Sequence, residues 1–426
     1  MNTSIPKELQ VVIDSIPAGI LREQSTGTIS FSYHEDYEGL PLSLNMPVSN
    51  AIYNDKLVRP YLFGLLPDNL ETRRAIGREH GISANNPFAL LSVIGFDCPG
   101  AVQFCAEEQL GELLNRKVTY KKISIEDIGA RLKSLSDSSD ESWQTTQEHW
   151  SLGGQQSKIA LAKFGRDWYE CDGAAATTHI LKPGIKGLFH QALNEHLCLE
   201  LAASCGIPAA KSSYMSFDGI NAIVIERFDR EIVEPFEVLR FHQEDFCQAL
   251  GVAPDHKYTT DDGPSARDIM MLLAKCANPL ATQIDFAAEL FFNYLIGAPG
   301  AHAKNYSIFL GLNKDIRLTP LYDVASGLPY ALKTASGRSK EWTAAMGIGG
   351  ENRFGRVSKA NIERFAESFV SDPELMINLV ANLANKILDE MPGIAQSIAI
   401  QTGADELIER LVPPIEDLCK KTLQQL

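Results

Sequence analysis

The sequence predicts an α+β protein with two lobes, a small β-rich lobe and a larger helical lobe, preceded by an N-terminal α+β subdomain. Three observations predict it. Between residues 157 and 226 short alternating runs surround a single amphipathic helix. From about residue 240 apolar residues recur at steps of three or four. Residues 1–130 mix both periodicities. The 426 residues allow two or three domains.

In order along the chain, Gly27–Tyr33 alternates as a strand, and Leu70–Glu79 reads as a helix with Arg73, Arg74 and Arg78 on its polar side. Lys133–Ser142 is polar and serine-rich and reads as a linker, so the expected domains are 1–132, 145–230 and 231–426. Ser157–Lys163, Trp168–Cys171 and Ala175–Lys182 are three strands, and Phe189–Ser204 is a helix stopped by Gly206-Ile207-Pro208. Ser212–Phe217 and Asn221–Glu226 follow as two more strands around Asp218-Gly219. In the helical part, Ile284, Ala287, Phe291, Tyr294 and Ala298 mark a buried helix. Tyr306–Leu312 and Ile316–Leu321 form a hairpin, and Pro392-Gly393, Gly403 and Pro413-Pro414 are expected to separate the last helices.

Lys and Arg total 39 against 54 Asp and Glu, a net charge of −15 that opposes binding to nucleic acid or an anionic membrane. The amino terminus lacks the pattern of a secretory signal, and the longest oily stretch, Phe286–Ala303, is too interrupted to span a bilayer. A cytoplasmic protein is expected. Its eight cysteines have no paired spacing, so reduced, buried thiols are expected and a zinc site has no support.

A five-strand lobe with one helix, linked to a helical lobe that carries a loop, a hairpin and then an acidic residue, is the layout kinases use for phosphoryl transfer. Gly153, Gly154, Gln155 and Lys158 lie at the start of the first strand, where adjacent glycines let backbone N–H groups approach phosphates; taken alone, such a pair is more often a plain turn. Lys182 ends the third strand, where a cation holds the α- and β-phosphates. Glu195 on the next helix is either its partner or a solvated glutamate. Glu226 and Phe228 leave the last strand, where the link between lobes can bind an adenine edge. Asn305 and Asp323, eighteen residues apart, are hard oxygen ligands suited to Mg²⁺, and Lys304 is placed for the γ-phosphate of ATP. His302 reads as a brace for the loop in preference to a general base.

The segments WSLGGQQSKIALA, THILKPG, IERFDR, RFHQEDFCQALG, GAPGAHAKNYS and LTPLYDVASGLPY, in this order, resemble the HipA family of bacterial serine/threonine kinases, toxins of toxin–antitoxin pairs. PLSLNMPV, FGLLPDN and LLSVIGFDCPGAV resemble that family's first domain. The resemblance implies a bilobal kinase-like fold, ATP with Mg²⁺, and a protein target, an aminoacyl-tRNA synthetase such as glutamyl-tRNA synthetase. It also implies a HipB-like helix-turn-helix antitoxin, through which the acidic chain would meet DNA. Ser151 matches the family's autophosphorylated serine in the phosphate loop; Ser157 is the other hydroxyl there.

One position departs from the family pattern Gly-x-x-Asp-x-His-x-Lys-Asn: where the catalytic aspartate should stand, this chain has Gly300. No Asp or Glu between Glu289 and Asp315 replaces it. The chain is then either a natural pseudokinase or a kinase carrying an inactivating substitution, and the otherwise intact motif set favours the second. Of two basic clusters, Arg116/Lys117/Lys121/Lys122 reads first as a solvated face, while Lys333/Arg338/Lys340 reads equally as a mobile charged loop or as a contact surface. DNA contact, and contact with a protein substrate or phosphate, are the respective alternatives.

Overall fold

A computed structural model of the chain describes residues 6–115, 118–137, 149–333, 339–367, 369 and 372–426. It opens with β1 (Glu8–Ile13), β2 (Ile16–Glu23) and β3 (Ile29–Tyr33), then α1 (Asp55–Leu65), α2 (Leu70–His80), α3 (Pro87–Ile94) and β4 (Val102–Cys105). Asparagines begin all three helices: the side chains of Asn54, Asn69 and Asn86 accept from the N–H of Lys56, Glu71 and Ala89, donors the first turn leaves unpaired. Next come α4 (Leu110–Leu114), β5 (Val118–Ile123), α5 (Ile125–Asp137), β6 (Ile159–Phe164), β7 (Asp167–Gly173), β8 (His179–Pro183) and α6 (Gln191–Ser204). β9 (Ser212–Phe217), β10 (Ile220–Glu226), β11 (Arg230–Glu234), β12 (Glu237–Arg240), β13 (Gln243–Asp245) and α7 (Phe246–Leu250) follow. The rest holds α8 (Ala266–Leu273), α9 (Pro279–Leu295), β14 (Ser307–Leu310), β15 (Ile316–Leu318), α10 (Lys359–Glu367), α11 (Pro373–Thr402) and α12 (Asp405–Leu423).

The chain divides into two compact units, the first of residues 1–183, 215–255 and 308–313, the second of residues 184–214, 256–307 and 314–426. In the first, the antiparallel sheet β3-β2-β1-β4 encloses a core of Leu9, Val11, Phe31, Tyr61, Phe88 and Phe104. A second sheet runs β5-β7-β6-β8-β10-β9 over Ile128, Leu132, Trp150, Leu161 and Val224. It has six strands where the sequence predicted five, because β5 pairs with β7 from Val118↔Gly173 to Ile123↔Trp168. The sheet therefore takes a strand from before the expected linker, and Lys133–Asp137 of that linker is the end of α5. Residues 138–142 lie outside the described residues.

The second unit is helical around α9, whose Phe286, Ala287, Leu290, Phe291 and Tyr294 are buried. Pro392 and Pro413-Pro414 do not separate helices as expected; they lie inside α11 and α12. The buried stripes Ile387, Met391, Ala395, Ile398 and Leu407, Leu411, Ile415, Leu418 run through those prolines, so core burial outweighs the lost N–H bonds. The eight cysteines are free and buried. No helix among the described residues is long and apolar enough to cross a membrane.

Candidate functional site

The first unit carries the residues that the sequence places on the nucleotide side. Gly154 adopts φ +104°, a conformation that favours glycine, and a Cβ there would stand 2.6 Å from the flexible tip of Lys158, Nζ. Lys158, which is buried, donates to the Gly153 carbonyl and folds the loop onto itself. Gln155 is exposed. The loop is also held by the N-terminal subdomain. Asp68 N–H donates to Gly154 O at 3.0 Å, and Ser151 Oγ, in a residue only 1% exposed, donates to Leu65 O at 2.7 Å.

Lys182 is buried on β8, opposite Ile223 of β10. Beyond β10, Glu226 is exposed and Phe228 half-buried, its ring edge-on to Phe309 at 5.9 Å; Phe241 meets the same ring at 6.3 Å. The intervening residues were read only as part of a link, yet Arg227, Asp229 and Arg230 are buried.

The second unit carries the loop after α9. Gly297 has φ +66° and its Cβ would stand 2.5 Å from Leu328, so it is an obligatory glycine. Gly300 is different: its φ is not positive and an added Cβ would meet nothing within 4 Å. Its carbonyl accepts from His302 N–H at 2.8 Å and from Asn305 Nδ2 at 2.9 Å. Asn305 thus spends its amide donor inside the loop and keeps Oδ1 for a ligand. His302 is buried with its ring edge-on to Tyr258 at 4.8 Å. Lys304 is buried too.

Tyr322 ties this loop to the acidic residue. Its hydroxyl donates to Lys304 O at 2.9 Å and accepts from Ser307 Oγ at 2.6 Å, so the residue before Asp323 is bonded on both sides of Asn305. Asp323 itself adopts φ +55°, a left-handed conformation that aspartate tolerates better than most residues and that sequence does not announce. The segment beyond is fixed by Asn194 of α6, fully buried, which accepts from Ser326 N–H at 3.2 Å and donates to Ser326 O at 2.8 Å. Glu195 beside it is 1% exposed, which removes its reading as a solvated glutamate. Asn305 Oδ1 and the Asp323 carboxylate fit a hard cation such as Mg²⁺. Glu289 does not fit the role of a substitute base, since burial, reinforced by Asp285, raises its pKa well above the carboxylate range.

Of the basic clusters, Lys121 and Lys122 pair with Glu170 and Asp167 at 3.3 and 2.9 Å across β7, as a solvated face does; Arg116 and Lys117 lie outside the described residues. In the other cluster the backbones at Lys333 and Lys340 belong to a short antiparallel pair, and Arg338 lies outside the described residues.

Comparison with known proteins follows the same lines. Residues 150–391 match the family described as the HipA-like C-terminal domain, and residues 9–105 the HipA N-terminal domain. Y4mE of Sinorhizobium fredii, named as a kinase, is 33% identical over 76% of this chain and 78% of its own. The serine/threonine-protein kinase toxin HipA of Shewanella oneidensis is 30% identical over 76% of each chain. Among solved structures, the Shewanella oneidensis HipA–HipB–operator DNA complex contains a chain that superposes with a TM-score of 0.82 at 26% identity, covering 98% of this chain and 97% of that one.

Proposed function

The chain belongs to the HipA family of kinase toxins, and from that membership we propose that it is an ATP-dependent protein serine/threonine kinase by construction, impaired by the glycine at position 300. Its site would take ATP with Mg²⁺. The glycine loop and Lys182 would receive the phosphates, the backbone at Glu226–Phe228 the adenine edge, and Asn305 Oδ1 with Asp323 the metal, which when bound neutralises phosphate charge. Lys304 would contact the γ-phosphate, and His302 would hold the loop. The target would be a protein, an aminoacyl-tRNA synthetase such as glutamyl-tRNA synthetase, whose phosphorylation arrests translation and growth. Ser151 would be the site of self-phosphorylation. A helix-turn-helix antitoxin in the cytoplasm would be the partner and would carry the chain to DNA.

The observation that carries this reading is the double hydrogen bond of Tyr322, which ties the residues on either side of Asn305 to the segment that carries Asp323, Asn305 and Asp323 being the two residues proposed for the metal. The test is Gly300→Asp, which the open space at that Cβ accommodates. A restored carboxylate should raise transfer from γ-labelled ATP on the order of 10²–10⁴-fold, with label at Ser151 and growth arrest on expression. No label and no arrest in the folded variant would refute the kinase reading.

The absent carboxylate itself favours a second reading, an ATP-binding pseudokinase that acts as an antitoxin-bound co-repressor scaffold. That reading expects Gly300→Asp to leave the chain silent while ATP·Mg²⁺ binding persists.

A further inference from the structure

Burial alternates sharply where the chain leaves β10: Glu226 is exposed, Arg227 buried, Phe228 half-buried, Asp229 and Arg230 buried. The buried charges do not face one another alone. Asp97, from the loop before β4, sends Oδ2 to Arg227 at 3.1 Å and Oδ1 to Arg230 at 2.9 Å and to Arg240 at 3.2 Å. Arg227 is also paired with Asp229 at 2.8 Å, and Thr177 donates its hydroxyl and its N–H to Asp97 Oδ2 at 2.7 and 3.0 Å. The Asp97 carbonyl accepts from Ser151 N–H at 2.9 Å. One residue of the N-terminal subdomain therefore touches the hinge, the lead-in to β8 and the start of the phosphate loop. Burial would raise the Asp97 pKa, but Arg230, Arg227 and Arg240 hold it well below the carboxylate range, so the network is ionised.

Such a cluster is a poor device for stability alone, because desolvating ions costs as much as their attraction returns and apolar packing serves as well. What a carboxylate shared among guanidiniums supplies is direction, since each N–H fixes an angle as well as a distance. Here the fixed object is the backbone between Glu226 and Arg230.

We propose that Asp97 is a positioning residue for the nucleotide, holding the hinge backbone at Glu226–Phe228 in the register that reads the edge of the base. The proposal rests on the kinase reading above, and its test separates the two.

ATP and inosine triphosphate, each with Mg²⁺, share their phosphates and differ at that base edge. Calorimetry on the full-length parent should show ATP bound about tenfold more tightly, the worth of one well-aligned hydrogen bond. Asp97→Asn should weaken ATP about tenfold, leave inosine triphosphate nearly unchanged, and reduce the preference to about twofold or less. Should that variant fail to fold, Asp97→Asn/Arg240→Gln removes one charge of each sign and carries the same expectation. A folded variant with a lowered unfolding temperature but the parent's ATP affinity and preference would overturn the proposal, as would a parent that binds both nucleotides equally. A parent that binds neither would instead bring down the kinase reading on which the proposal stands.

Discussion

Replacing Ser151 by aspartate should expel the phosphate loop from its seat, and the size of the effect follows from what surrounds the hydroxyl. Ser151 is 1% exposed, its Oγ donates to the Leu65 carbonyl at 2.7 Å, and its N–H is already committed to Asp97 O. Ser151→Ala removes one hydrogen bond, worth about 1 kcal/mol, and should weaken ATP·Mg²⁺ binding within about fivefold. Ser151→Asp sets an ionised acceptor against the Leu65 acceptor in a buried position. An uncompensated buried charge costs about 3 kcal/mol or more, roughly 10²-fold against the seated loop. If the seated loop is the nucleotide-competent one, ATP affinity falls by up to the same factor. Phosphoserine, with roughly two negative charges, should do more. Calorimetry with ATP·Mg²⁺ on parent, Ser151→Ala and Ser151→Asp decides the matter. Equal affinities for the two variants, both folded, would refute the argument that charge at this serine unseats the loop.

Two further outcomes are expected. Tyr322→Phe deletes the hydroxyl that joins Lys304 O to Ser307 Oγ and should raise the Mg²⁺ concentration needed for tight ATP binding about three- to tenfold, the loss of one hydrogen bond; calorimetry at graded Mg²⁺ reads it, and an unchanged Mg²⁺ dependence would disprove the coupling. Glu244, fully buried and accepting from Leu44 N–H at 2.8 Å, is pushed by burial from 4.5 up to about 8. Its contribution to stability is thus complete below pH 4.5 and lost as pH rises through 8. Glu244→Gln should gain stability over the parent across that window, by at most ~1.4 kcal/mol per pH unit, visible in unfolding temperatures at pH 5 and pH 8. His242, which burial lowers to about 4, titrates alike in both proteins and drops out of the difference. A gap that does not widen towards pH 8 would mean that Glu244 is ionised in the folded protein.

What the sequence revealed was mostly local. β9 was read at its observed bounds, α2 and α6 within two residues, and the two strands after Asn305 in their places, because alternation, a helical stripe and turn residues are carried by neighbours in the chain. Partner choice is not. β5 joins β7 across a serine-rich stretch that read as a boundary, and nothing within β5 states which strand it will meet. Nothing in the link marks Arg227, Asp229 and Arg230 as interior, because Asp97, which pairs with both arginines, lies 130 residues from Arg227 and only the fold brings it there. The RFHQEDFCQALG segment carried resemblance but no stated role. Its His242 receives Ala101 N–H and meets Leu42 O, Glu244 takes Leu44 N–H, and Gln248 donates to Tyr61 O, so it is where the N-terminal subdomain is fastened. The left-handed Asp323 had no local signal; it lies between Tyr322, bonded to Lys304 O, and Ser326, bonded to Asn194, both contacts that only the fold creates.

Position 300 shows how far scaffold and chemistry are separable in this loop. Gly297 and Gly300 look alike in the sequence, but the first is fixed by its positive φ and by Leu328, whereas the second meets no such demand. What the loop needs from residue 300 is its carbonyl, which orients Asn305 and caps His302, and any amino acid supplies that. A glycine there has no structural cause and no structural penalty. On the kinase reading its consequence would fall on the hydroxyl acceptor alone: the residues proposed for the metal would keep their placement while proton removal would lose its agent. The chain should therefore bind ATP·Mg²⁺ and transfer little, and the same open space that tolerates glycine should accept the aspartate that reverses it.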